Sequence, residues 1–268
     1  EDKLTAAYGR EKKVTILELR RNPDPEIAAL ADYVYDHVFV RYTMKQWGQT
    51  PEEIDPNTTA RVPVFLPEDC RYFQDVHQGM PLEGYTPLFQ RMLDHPNITV
   101  ELNTDAAARM RLEDGRVYLD GAPFAGTVIY TGAADELFGC RYGRLPYRTL
   151  DFVFETHPVD FWQSHGTVNY TVDQDYTRIT EFKYLTGQEL PGATTIAKEY
   201  SRSYTGEAGQ VPYYAIINPE NNALYARYAA EAERYPVFHL LGRLAEYKYY
   251  NMDAIAARAL ELCDDLLK

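Results

Sequence analysis

Cysteine is scarce, tryptophan scarcer, and long apolar runs are missing. The 268 residues include 3 Cys and 2 Trp. Cys70, Cys140 and Cys263 are far apart and odd in number, which excludes a disulfide framework and the close doublets of a zinc site. That usage predicts a reducing, cytoplasmic setting with all three thiols buried and inert. No window approaches the roughly 20 apolar residues that a membrane-crossing helix needs, and no leader pattern opens the chain. No Gly-x-Gly-x-x-Gly follows an expected strand, so the usual pyrophosphate turn of a dinucleotide fold is missing from these residues. Neither a P-loop nor a metal-ligand doublet is present, and no metal is expected. Basic residues are also outnumbered: 27 Lys and Arg face 40 Asp and Glu, a net charge of −13. Nonspecific binding to nucleic acid or anionic lipid is excluded on that balance. An anionic small molecule is not, because a few well-placed arginines override the overall field.

Tyrosine is abundant, at 23 residues against 11 Phe. A purely apolar core would favour phenylalanine; tyrosine adds a hydrogen-bonding tip to a flat apolar ring. Many of these rings stand beside cations, as in Tyr247-Lys248-Tyr249-Tyr250. An amphipathic sheet face is the ordinary explanation for any single one.

Periodicity and punctuation predict an α+β fold with a mostly antiparallel sheet and no run of βαβ units. Asp24-Pro25 reads as an N-cap followed by a first-turn proline. Apolar residues then recur at helical spacing to about Tyr42, and residues 48–61 read as an exposed, mobile loop. Tyr85–Leu93 reads as a helix, residues 98–102 as a strand, and residues 116–119 as its hairpin partner after Asp114-Gly115. Strand-like stretches follow at 128–132, 150–156, 166–171, 176–185 and 194–200. Residues 221–234 and 252–267 read as helices, with Asn251 as N-cap, and 237–243 as a strand entering a glycine turn. In domain terms, residues 1–95 read as a helical part, 96–236 as a mixed sheet domain and 237–268 as a closing strand, turn and helix.

Several clusters are candidates for chemistry. Tyr42-Thr43-Met44-Lys45-Gln46-Trp47-Gly48 places two large rings where a helix meets a loop. Arg61 stands where that loop rejoins the ordered chain, and arginine suits bidentate phosphate recognition; a lone surface arginine is otherwise simply solvated. In 175–183, alternation puts Tyr176, Arg178 and Thr180 on one strand face and Thr177, Ile179 and Glu181 on the other. Pro212-Tyr213-Tyr214 and the stretch from Gly242 to Asp253 are too polar for a core and too aromatic for an ordinary loop.

With these clusters in hand, the chain resembles the UDP-galactopyranose mutases. Residues 42–48, 61–64, Tyr72-Phe73, Gln78-Gly79-Met80-Pro81 with Gly84-Tyr85-Thr86, Tyr130-Thr131-Gly132, Tyr176-Thr177-Arg178 and 242–253 follow that family's order and spacing. The likeness covers roughly residues 24–266. It implies interconversion of UDP-galactopyranose and UDP-galactofuranose on reduced FAD, whose N5 attacks the anomeric carbon as UDP departs. It implies Arg61 and Arg178 as diphosphate ligands and catalytic residues, Tyr42 stacked on uracil, and Trp47 near the sugar. Tyr72, Tyr214 and Tyr249 would bond the diphosphate. Gly132, Gly242, Arg243, Tyr250, Asn251 and Met252 would face the flavin. The implied fold is the remainder of an FAD-dependent, amine-oxidase-like flavoprotein with two dinucleotide-binding regions, and the implied assembly a homodimer.

Two departures from the family pattern shape the expectation. Its N-terminal flavin fingerprint has no counterpart here. That predicts weak FAD retention, silence of this chain alone, and exposed apolar surface driving self-association beyond the dimer. A UDP-sugar-binding module without catalysis is the alternative. Phe65 stands where the family often has arginine, which alters local packing. Asn251 stands where it often has aspartate, which removes a carboxylate near the flavin region.

Overall fold

The computed structural model describes residues 1–53, 62–66, 71 and 75–268. In chain order these begin with α1 (Asp2–Tyr8), α2 (Ile16–Leu19), α3 (Pro25–Val34), a π-helical turn (Tyr35–Val40), α4 (Arg41–Trp47), α5 (Tyr85–Leu93) and α6 (Ala106–Arg109). Next come β1 (Met110–Glu113), β2 (Arg116–Leu119), β3 (Ala122–Phe124), β4 (Val128–Tyr130), α7 (Ala134–Leu137) and β5 (Tyr147–His157). The chain continues with β6 (Thr167–Asn169), β7 (Arg178–Glu181), α8 (Phe182–Thr186), β8 (Thr194–Ser203) and β9 (Tyr214–Ala215). It closes with α9 (Pro219–Ala232), β10 (Phe238–Leu240) and α10 (Met252–Leu266). The class is α+β, and the elements gather into two units, residues 1–100 with 150–202, and 101–149 with 203–268.

In the first unit, the Asp24 carboxylate accepts from the N–H groups of Glu26 at 2.8 Å and Ile27 at 3.4 Å, with Pro25 opening α3 as the sequence predicts. Ile27, Ala31, Tyr35 and Phe39 then pack against Val14, Ile16 and Leu19. The helical path does not stop near Tyr42 as expected. It passes through the π turn into α4 and ends at Gly48, whose φ of 71° closes the helix in the left-handed region. Nothing between Val34 and Trp47 breaks a helix, and one π turn shifts the helical register by a residue. Tyr42 therefore lies within a helix, not at its end.

The sheet of this unit runs β6-β7-β8 and on to the later residues of β5. Arg178 of β7 sits opposite Asn169 of β6 and Glu199 of β8. The predicted alternation holds, since Ile179 and Glu181 are buried while Arg178 and Thr180 are half-exposed. Residues 182–185 do not extend the strand; they form α8. Glu181 anchors that switch, because its buried carboxylate accepts from the N–H groups of Trp162 and Gln163, both at 3.0 Å, and from the Thr194 hydroxyl at 2.6 Å. Residues 75–100 contain no buried position, and Val76 and Leu82 are 91% and 94% exposed.

In the second unit, Asp114 and Gly115 adopt φ of 49° and 72°, the left-handed pair of a two-residue hairpin. The turn joins β2 to β1 and not to residues 98–102, which form no strand. Alternation marks a strand only where a neighbour supplies the ladder. β4 pairs with β10 in parallel, whereas the pairs β1–β2, β2–β3 and β5–β9 are antiparallel.

The core of this unit explains much of the tyrosine. Tyr147, Tyr228 and Tyr247 are at most 1% exposed. Their hydroxyls donate to the carbonyls of Leu244 at 3.3 Å, Gly143 at 2.6 Å, and Pro146 at 2.6 Å with Ile216 at 3.0 Å, respectively. A buried ring with a satisfied phenol packs like phenylalanine and also ties loops together. Part of the stretch expected to be too polar for a core, Ala245 through Tyr247, is thus core. The thiol expectation also needs correcting: Cys140 is half-buried and Cys263 is exposed, while Cys70 lies outside the described residues. No described helix is long and apolar enough to cross a membrane.

Asp135, in α7, is fully buried and accepts from the Leu145 N–H at 2.8 Å. Burial raises its pKa above the ordinary carboxyl range. A raised folded-state pKa means the carboxyl's contribution is present below the unfolded value and is lost as pH rises through the folded one. Between pH 4 and 8 the melting temperature of Asp135→Asn should therefore fall less than that of the wild type. Parallel profiles for the two proteins would contradict this.

Candidate functional site

In the first unit, α4 lies against the β6–β7–β8 sheet through polar contacts along one face. Arg178 Nη2 donates to the Tyr42 phenol oxygen at 3.1 Å, and its Nε pairs with Glu199 at 3.5 Å. Burial raises the pKa of Glu199, and Arg178 opposes that rise. Arg41 binds Asp173 at 2.9 Å, and the Ser201 hydroxyl donates to the Gln46 carbonyl at 2.7 Å. Trp47, half-buried, is the last residue of α4. The structure thus brings together Tyr42 and Arg178, which lie 136 residues apart in the chain. Arg61 and Tyr72, together with most of the loop expected at 48–61, lie outside the described residues.

In the second unit, Arg243 organises the other cluster. Its Nη2 donates to the Tyr250 carbonyl at 2.7 Å, and its guanidinium lies 4.4 Å from the Tyr249 ring centre and 5.5 Å from that of Tyr214. The rings of Tyr214 and Tyr249 are nearly parallel, with centres 6.1 Å apart and planes at 7°. Gly242, at φ 111°, takes a conformation that a side chain would strain, and its N–H donates to the buried Glu246 carboxylate at 3.0 Å. Glu246 is neutralised in turn by Arg258 of α10 at 3.1 Å. Asn251 occupies the N-cap of α10, and Met252, its first residue, is 66% exposed. Gly132 follows β4, and a Cβ there would crowd the hydroxyl end of the Tyr130 ring, which would have to shift.

Sequence reasoning missed three participants. Lys45 and Glu199 both touch the Tyr42–Arg178 region. Arg148 is 7% exposed on β5, directly across from Tyr214 of β9, and donates to the Ser203 hydroxyl at 3.1 Å. Its burial lowers the guanidinium pKa. A cation inside Tyr147-Arg148-Thr149-Leu150 was the available signal, since a charged residue within a strand of a buried sheet needs a reason. Among the described residues, no group of three or more His, Cys, Asp or Glu side chains could hold a metal ion.

A model of the UDP-galactopyranose mutase family matches residues 37–249. The chain belongs to that family. It is 34% identical over 265 residues to a UDP-galactopyranose mutase of Mycoplasma pneumoniae, covering 97% of this chain and 66% of that protein. Against a dTDP-fucopyranose mutase of Escherichia coli it is 34% identical over 268 residues, covering 99% of this chain and 68% of that one. A UDP-galactopyranose mutase of Mycoplasma genitalium is 31% identical over 258 residues, with coverage of 95% and 64%. The chain therefore spans about two thirds of the length of these relatives.

Proposed function

We propose that this chain carries the nucleotide-sugar site of a mutase that interconverts UDP-galactopyranose and UDP-galactofuranose. The observation that carries the reading is the Tyr42–Arg178–Glu199 arrangement, a half-buried guanidinium fixed by a phenol and a carboxylate in a chain of this family. Arg178 is a diphosphate ligand, with Arg61 as its partner and Tyr72 as a further donor. As UDP leaves the anomeric carbon, negative charge grows on the β-phosphate, and a preorganised guanidinium stabilises it without reorganising. Tyr42 stacks on uracil, and Trp47 lies toward the sugar. In the second unit, Tyr214 and Tyr249 offer phenol groups to an anionic ligand.

FAD fits the second unit in residue chemistry. Gly242 has no heavy atom nearer than 3.9 Å in its Cβ direction. The N-terminus of α10 at Asn251 and Met252 is exposed and suits a carbonyl-bearing or anionic edge. Those residues, with Gly132, Arg243 and Tyr250, would hold the cofactor. When bound and reduced, FAD supplies the nucleophile, so no protein side chain needs an unusual pKa for that role.

Calorimetry tests the nucleotide site. Arg178→Ala and Arg61→Ala should each weaken UDP binding by roughly 1.5–3 kcal/mol, the range for a lost charged hydrogen bond. Unchanged affinity in both would contradict the assignment. Repeating the titration with a dTDP-sugar separates the substrate named for the Escherichia coli relative from UDP-galactose. A visible spectrum after incubation with FAD and desalting tests the second unit: a retained flavin band supports the mutase, whereas a colourless protein that binds UDP-galactose is a binding module. The exposed apolar residues between 76 and 100 support self-association at least to a homodimer. Light scattering that reads a monodisperse monomer would contradict that part.

A further inference from the structure

The loop between β6 and β7 contains neither glycine nor proline, the two residues that fix backbone geometry most strongly in a turn. The Tyr170 N–H donates to the Thr177 carbonyl at 2.9 Å and closes the hairpin. The turn is left to Thr171, Val172, Asp173, Gln174, Asp175 and Tyr176. Its carbonyls still need donors. Lys45 supplies them from α4: its Nζ donates to the carbonyls of Tyr170 at 2.5 Å, Gln174 at 2.9 Å and Tyr176 at 3.2 Å. An ammonium has three N–H donors that radiate from one nitrogen. It fills the loop as a bound cation would.

This contact is tied to the candidate nucleotide site by both of its ends. Lys45 is one helical turn from Tyr42, so the two share the face of α4 that meets the sheet. Tyr176, whose carbonyl it holds, is two residues before Arg178. Arg41, on the same face, holds Asp173 of the same loop at 2.9 Å. The charged groups near the ammonium are Asp173 and Asp175 of the loop and Arg41 of its own helix; burial lowers the lysine pKa and the two aspartates oppose that.

We propose that Lys45 is a positioning residue of the nucleotide site: by occupying the β6–β7 loop it fixes Arg178 against Tyr42. The proposal rests on reading Arg178 as a diphosphate ligand. Methionine in its place fills the volume but leaves the three carbonyls without their donor. Arginine's flat fork cannot direct its donors from a single point.

The test uses the full chain with Lys45→Met, and Lys45→Gln as a milder second variant should the first not fold. UDP and uridine affinities are measured by calorimetry, and hydrogen exchange of the amides in 170–178 is followed in the absence of ligand. The expected result is a loss of about tenfold for UDP, uridine affinity held within about twofold, and faster exchange in the loop. Equal losses for both ligands would mean general destabilisation and would overturn the positioning role, as would an unchanged UDP affinity. If wild-type chain binds no UDP at all, the nucleotide reading fails first. Loop exchange then judges the clamp alone, and exchange that stays at the wild-type rate in the variant overturns it too.

Discussion

A charged side chain on a sheet face has to be compensated, and the first unit is arranged around one such charge. Arg178 lies in the middle of a three-strand ladder with Glu199 across from it and Tyr42 on the helix above. Leaving a half-buried guanidinium without partners costs more than any surface contact returns. The cross-strand carboxylate, the phenol and the register of α4 are therefore one requirement. The π turn before α4 belongs to it as well, since one inserted residue decides which side chains face the sheet. This arrangement holds a cation where an anion can reach it.

The second unit meets a similar demand with rings. Buried phenols anchor loop carbonyls around Tyr147, Tyr228 and Tyr247, and Tyr247 itself takes a left-handed φ of 49°. A residue other than glycine in that conformation is strained by roughly 1–2 kcal/mol and persists only where its surroundings fix it. Its one phenol O–H, shared between the Pro146 and Ile216 carbonyls, helps to do so here. Just before it in the chain, Gly242 and Arg243 shape the turn that leads to α10. The abundance of tyrosine thus serves packing first, and the half-buried, stacked pair Tyr214 and Tyr249 is the part proposed to meet a ligand.

Much of this was legible in the sequence where the signal is local. The Asp24-Pro25 cap, α5, the Asp114-Gly115 turn and the alternation around Arg178 follow from residue chemistry within a few positions. The family was legible too, because short motifs in a fixed order carry more information than any one of them. What failed depends on distant partners. Residues 98–102 alternate like a strand yet have no ladder, and 182–185 carry strand-formers yet turn helical once Glu181 is pinned by Trp162, Gln163 and Thr194. Lys45 reads as a surface lysine until the 170–176 loop comes to it. The two units each draw on two chain segments, which no reading along the chain reveals.

The central claim is that Tyr42 and Arg178 act as one element in holding a nucleotide. A double-mutant cycle on UDP affinity with Tyr42→Phe, Arg178→Lys and the pair tests it most directly. Residues acting as a unit couple by about 0.5–3 kcal/mol, and that is the result predicted. Losses that simply add would show that the contact between them has no part in binding.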